Sequence, residues 1–100
     1  MSLIIIDYDE TFTTDKQFWS TFVKMARASG KTVVCCTMRV GNEYVDADVI
    51  EDMKTLDIPV VFAAIHADKY AAMSAAGYDV ESAIWIDDNP QYIVMGGIND

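Results

Sequence analysis

Leu3-Ile4-Ile5-Ile6 is apolar at every position, without the alternation of a half-exposed strand. Three consecutive β-branched residues stiffen the chain toward extended backbone. A run that is apolar on both faces suits the interior of a parallel sheet with helices on each side. It stops at Asp7-Tyr8-Asp9-Glu10-Thr11-Phe12, where two carboxylates lie one residue apart. Thr14-Asp15-Lys16-Gln17 then matches a helix capping box, with Thr14 as N-cap and Gln17 reaching back. Phe18, Trp19, Phe22, Val23 and Ala26 follow at helical spacing and predict one buried face. Gly30 supplies the stop, so the first helix is predicted over residues 15–29.

The same alternation of patterns continues. Residues 31–37 (KTVVCCT) predict a second strand, and residues 38–44 a loop. Asp46 or Asp48 opens a second helix with Val49, Ile50, Met53 and Leu56 on its inner face. Residues 58–63 predict a third strand, with Pro59 tolerable near the start of an edge strand. An alanine-rich helix over residues 67–76 closes at Gly77, residues 83–86 form a fourth strand, and a short helical turn spans residues 91–95. The order βαβαβαβ implies an α/β, three-layer Rossmann-like fold with a short parallel sheet of about four strands and right-handed crossovers. No linker, repeat or low-complexity segment divides the chain, so residues 1–100 read as one domain. Three of the four strands end in polar groups: Asp7 and Asp9, Thr37, and Asp87 with Asp88. In a parallel sheet these ends share one edge, where open α/β sheets bind ligands.

Composition changes this picture little. At 52% hydrophobic residues the chain can bury a core. Its net charge of −9, from 7 Lys+Arg against 16 Asp+Glu, argues against an extended nucleic-acid surface or an anionic membrane as partner. Part of the acidic excess has a reason if carboxylates gather around a cation. Cys35 and Cys36 are adjacent on a strand and point to opposite faces, so they read as small core residues rather than a disulfide. With one histidine and no CxxC pair, a structural zinc site is not expected. No stretch has the length of a membrane span, and Met1-Ser2 runs straight into the first strand with no room for a signal peptide. A cytoplasmic protein is the expectation.

Taken singly, Asp9 with Thr11 could be turn chemistry, Asp87-Asp88-Asn89-Pro90 a turn into a helix, and Lys69 a solvated helix lysine. Taken in order, Asp7-x-Asp9-x-Thr11, Thr37, Lys69 and Asp87-Asp88 resemble the four motifs of the haloacid dehalogenase (HAD) superfamily. The resemblance spans nearly the whole chain. It implies a HAD-like catalytic core and a magnesium-dependent phosphohydrolase. Asp7 would be the nucleophile, forming an aspartyl-phosphate, and Asp9 the general acid and base. Thr11 would support the loop, and Thr37 and Lys69 would bind the phosphoryl group. Asp7, the Asp9 carbonyl and Asp88 would ligate magnesium. Asp87 would be either a further ligand or a group that orients the others. Lys54, Arg39 and His66 are the alternative sources of positive charge, although His66 reads first as an ordinary loop histidine.

Only a few residues separate Thr11 from the first helix, so a cap domain has no room and the site should be open. An open site suits a bulky substrate or a partner subunit that excludes water. DYDETF is similar to the DLDETL form of capless protein phosphatases in the family, and Thr37-x-Arg39 with the following glycine resembles a stretch of polynucleotide 3′-phosphatases. In the second comparison Arg39 would bind phosphate. A nucleic-acid end, a nucleotide and a phosphoprotein therefore all stay open as substrate, and a homo-oligomer stays open as assembly. The alternative function is a catalytically weak HAD-like binding or regulatory domain. A receiver-like phosphate acceptor fits the DxDxT spacing less well.

Overall fold

The computed structural model describes residues 2–94. Four parallel strands form one sheet: β1 (Leu3–Ile6), β2 (Thr32–Thr37), β3 (Val60–Phe62) and β4 (Ile84–Ile86). They are joined by α1 (Lys16–Ala28), α2 (Ala47–Leu56) and α3 (Lys69–Ala75). The spatial order is β3-β2-β1-β4. The chain therefore steps outward from β1 to β3, then crosses back to place β4 on the other side of β1. This reversal makes the gap between β1 and β4 the topological switch point.

Strand alternation builds two cores. Ile4, Ile6, Val33 and Cys35 face Val23, Ala26, Val49, Met53 and Leu56 from α1 and α2. Leu3, Ile5, Val34 and Cys36 face Ala72 and Met73 of α3, with Ala63 and Val80. Helices thus cover both faces, and β1 is buried at all four positions. Cys35 and Cys36 are buried free thiols, one in each core. Burial, which disfavours the thiolate, pushes Cys36 up to about 12 and Cys35 upward as well. Among the described residues no helix is long and apolar enough to cross a membrane.

Several local expectations shift. The capping box does not form: Asp15, not Thr14, caps α1 by accepting from the Phe18 amide at 3.1 Å. Thr14 instead closes a 3₁₀ turn at Phe12–Thr14, its hydroxyl donating to the Thr11 carbonyl at 2.5 Å. Phe12 is buried, and that extra turn moves the helix start by one residue. Phe18 is not part of the core: it is 57% exposed, at the margin of the apolar face, edge-on to Trp19 at 4.9 Å between ring centroids. Ile50 on α2 is half-buried, whereas Val49, Met53 and Leu56 are buried.

β3 is shorter than the 58–63 expectation. The Ile58 amide donates to the Met53 carbonyl and so finishes α2, whose cap residue Asp57 is left-handed at φ +57°. Pro59 has no N–H and joins the ladder only through its carbonyl, which accepts from Cys35 at 2.9 Å. α3 starts at Lys69, not residue 67, because the Asp68 side chain caps it by accepting from the Ala71 amide at 2.7 Å. The last turn is a 3₁₀ turn at Pro90–Tyr92; Met95 of the 91–95 expectation lies outside the described residues. Its Ile93 carbonyl accepts from the Tyr70 amide at 2.8 Å, satisfying an N–H that the start of α3 leaves open.

Candidate active site

The register determines what meets at the carboxyl edge. Ile6 pairs with Ile86, so the next residues, Asp7 and Asp87, emerge side by side, and the Asp7 amide still donates to the Ile86 carbonyl at 2.9 Å. β2 runs past the end of β1 and carries Thr37, which is buried and lines the same cleft. Lys69, at the first position of α3, reaches in from the face that α3 covers. The resulting cleft has a volume of about 200 Å³ and is lined by Asp7, Asp9, Thr37, Lys69, Asp87 and Asp88, together with Glu10, Met38, Asn89 and Tyr92. It is smaller than the ~300–1,000 Å³ of usual small-molecule sites. A larger hollow of about 590 Å³ lies by Arg27, Lys31 and Asp57, but among the described residues no set of carboxylates converges there.

Lys69 is the centre of the charge arrangement. Its Nζ lies 2.9 Å from Asp7 Oδ1 and 2.6 Å from Asp87 Oδ2, with all three side chains buried. Burial disfavours the ammonium, but the hydrogen bonds to Asp87 and Asp7 outweigh it and hold the Lys69 pKa above its ordinary value. Asp7 experiences the opposite balance. Burial raises it from 3.8 to about 6 against the pull of Lys69, and its neighbour Asp88 pushes the same way as burial.

Thr11 ties the two strand ends together. Its hydroxyl oxygen accepts from the Asp88 amide at 3.2 Å and lies 3.4 Å from Asp7 Oδ2 and 3.3 Å from Asp88 Oδ1. One proton serves both carboxylates. Carboxylate oxygens of Asp7, Asp87 and Asp88 lie within 4.8 Å of one another. Three carboxylates against one ammonium leave two negative charges in a small volume, and their donors are hard oxygens. That set fits a hard divalent cation. Asp87 has both oxygens engaged, Oδ2 by Lys69 and Oδ1 by the Asn89 amide at 2.9 Å. Asp88 is exposed, so it is the freer of the doubled aspartates to turn toward an ion.

Asp9 and Arg39 are placed differently. The Asp9 carboxylate does not join the acidic group. Both its oxygens are held by Arg39, Nε to Oδ2 at 2.9 Å and Nη2 to Oδ1 at 2.6 Å. Arg39 does not line the cleft. Its remaining edge bonds Asp48 at 2.7 and 3.2 Å and Asp46 at 3.3 Å. These carboxylates, Asp9 and Asp48 foremost, raise the Arg39 pKa, and Arg39 in return lowers that of Asp48. Lys54 and His66 are not in the cleft either.

Residues outside the motifs support the site. Tyr8, between the two aspartates, is fully buried and donates its hydroxyl to Asp52 at 2.6 Å, which raises its pKa beyond the effect of burial. Asp46 stands at the N-cap of α2, as the sequence predicts, but its side chain does not cap the helix: it is a buried anchor that accepts from the Gly41 and Asn42 amides at 2.8 and 2.9 Å. Gly41 is required there: φ is +86°, and a Cβ would meet the Phe62 ring at 2.9 Å. Glu10 has φ +61°, a left-handed backbone that favours glycine, at the point where the chain turns away from Asp9. The Gly41-Asn42 pair hinted at the turn, but nothing local marks Tyr8, Asp52 or Glu10. No family model, no curated protein and no solved structure matches the chain.

Proposed function

We propose that the chain is a HAD-like phosphohydrolase that cleaves a phosphate monoester through an aspartyl-phosphate on Asp7. The observation that carries this reading is Asp7 at the β1–β4 switch point, paired with buried Lys69 and facing Asp87 and Asp88. A carboxylate attacks a phosphate dianion only when their repulsion is screened. Magnesium would be held by Asp7, Asp88 and the Asp9 carbonyl, and when bound it would supply that screening. Asp87 would hold Lys69 in place.

The chain's own groups divide the rest of the work. An oxygen of Asp7 forms a bond to phosphorus as the bond to the leaving oxygen breaks, and Asp9 delivers a proton to that oxygen. Water then attacks phosphorus, Asp9 takes its proton, and the Asp7–phosphorus bond breaks to release inorganic phosphate. Lys69 and Thr37 bind the phosphoryl oxygens. The small cleft accepts little beyond the phosphoryl group, which supports a substrate that projects into solvent, as a macromolecule or nucleic-acid end does.

Turnover of nitrophenyl phosphate with magnesium, abolished in Asp7→Asn, is the expected result. Absence of turnover across a broad panel of phosphate esters would overturn the assignment. One observation favours the second reading, a binding domain with little catalysis: both Asp9 oxygens are occupied by Arg39. Calorimetric binding of magnesium and inorganic phosphate without turnover would select it.

A further inference from the structure

We propose that Arg39 is a positioning residue: its guanidinium holds Asp9 aside until an anionic group of the substrate takes the same edge of the guanidinium and releases it. The inference rests on the phosphohydrolase reading for the role of Asp9, and on this structure for the clamp. The Nε–Nη2 edge of Arg39 grips Asp9 on both oxygens, at 2.9 and 2.6 Å. In that position each Asp9 oxygen already accepts a hydrogen bond from Arg39.

The opposite edge of Arg39 is held independently. Nη1 bonds Asp48 Oδ1 at 2.7 Å and Asp46 Oδ1 at 3.3 Å, and Nη2 also reaches Asp48 Oδ2 at 3.2 Å. Asp46 is buried and pinned by two loop amides. Arg39 Cζ lies over the Tyr8 ring, 5.3 Å from its centre, and Tyr8 is fixed to Asp52. Arg39 therefore stays where it is when Asp9 leaves.

Asp9 is the partner that borders the cleft. Its side chain is 49% exposed, as is that of Asp48, but of the two only Asp9 lies on the cleft wall. The pair is partly exposed and so screened by solvent, which lets a competing anion displace the carboxylate. A guanidinium fork fits a phosphate as it fits a carboxylate, through two parallel hydrogen bonds. The exchange breaks two hydrogen bonds to Asp9 and forms two to the substrate anion, with no change of covalent structure. Substrate binding and release of Asp9 become one event.

Two measurements test this on the intact chain. The first is ¹⁵N NMR of the Arg39 Nε–H. The clamp predicts a signal protected from solvent exchange, lost or moved in Asp9→Asn, and shifted in the wild type by inorganic phosphate. An Nε–H signal that ignores both Asp9→Asn and phosphate overturns the clamp. This holds whether or not any ester is hydrolysed, so a failed phosphatase assay alone does not decide it. The second is kinetic. Arg39→Gln should raise KM about tenfold, with kcat carrying less of the loss than KM, and Arg39→Lys should recover only part because it lacks the fork. A fall in kcat at unchanged KM overturns the exchange.

Discussion

Lys69 Nζ stands 2.9 Å from Asp7 Oδ1 although 62 residues separate the two in the chain. Both side chains are buried, and the same ammonium also holds Asp87. Removing it leaves two carboxylates buried without their counter-charge. Lys69→Met should destabilise the metal-free protein by about 3–5 kcal/mol, the usual cost of breaking a buried pair from one side. Magnesium should restore part of that loss by replacing the missing positive charge. Urea unfolding with and without magnesium reads both effects, and a variant as stable as the wild type in metal-free buffer contradicts the first.

Asp88 offers the cleanest separation of binding from folding. It is exposed, and its removal relieves repulsion on Asp7. Asp88→Asn should therefore cost less than about 1 kcal/mol without metal, as exposed substitutions do. At magnesium about a hundredfold above its Kd, the wild type should gain about 2.7 kcal/mol and the variant almost none. Thermal unfolding followed by circular dichroism measures the difference. Equal shifts in both proteins would remove Asp88 from the ligand set.

The Asp7 carboxyl gives stability a definite pH dependence. Its pKa rises from 3.8 to about 6 on folding, so the folded state binds the proton more tightly than the unfolded chain. The associated stability is fully present below about 3.8 and is lost as pH rises through about 6. Two units correspond to about 3 kcal/mol. In metal-free buffer Asp7→Asn should gain on the wild type by about that amount between pH 4 and pH 7. Unfolding free energies that stay parallel over this range would refute the assignment.

Thr11 joins the ends of β1 and β4 through a single hydroxyl. Thr11→Val keeps the shape but leaves the Asp88 amide without its acceptor and takes the shared hydroxyl donor from Asp7 and Asp88. A loss of about 1–3 kcal/mol is expected, together with weaker magnesium binding. Chemical denaturation and calorimetry give the two values, and Thr11→Ser should recover most of each.

The sequence by itself determined the α/β class, the strand order along the chain and the placing of Asp7, Thr37 and Asp87-Asp88 at strand ends. These follow from local signals: apolar runs of strand length, helical periodicity and glycine stops. Its errors were equally local. Thr14 and Asp15 are both good caps, and only the buried Phe12 and its 3₁₀ turn decided between them. Phe18 matched the helical period, but the width of the face that α1 presents to the sheet left it in solvent.

Tertiary structure alone decided which groups touch. The return of β4 to the far side of β1 made Asp87 the lateral neighbour of Asp7. α3 then carried Lys69 between them, giving the sequence-derived set its electrostatic centre. The same folding brought Arg39 against Asp9, 30 positions away, and made Asp46 and Asp48, which stand at the start of α2 as predicted, its anchor as well. No local pattern encodes such pairs, because a charged residue reads alike whether its partner is water or a carboxylate. Only the register of the strands and the faces chosen by the crossovers distinguish the two.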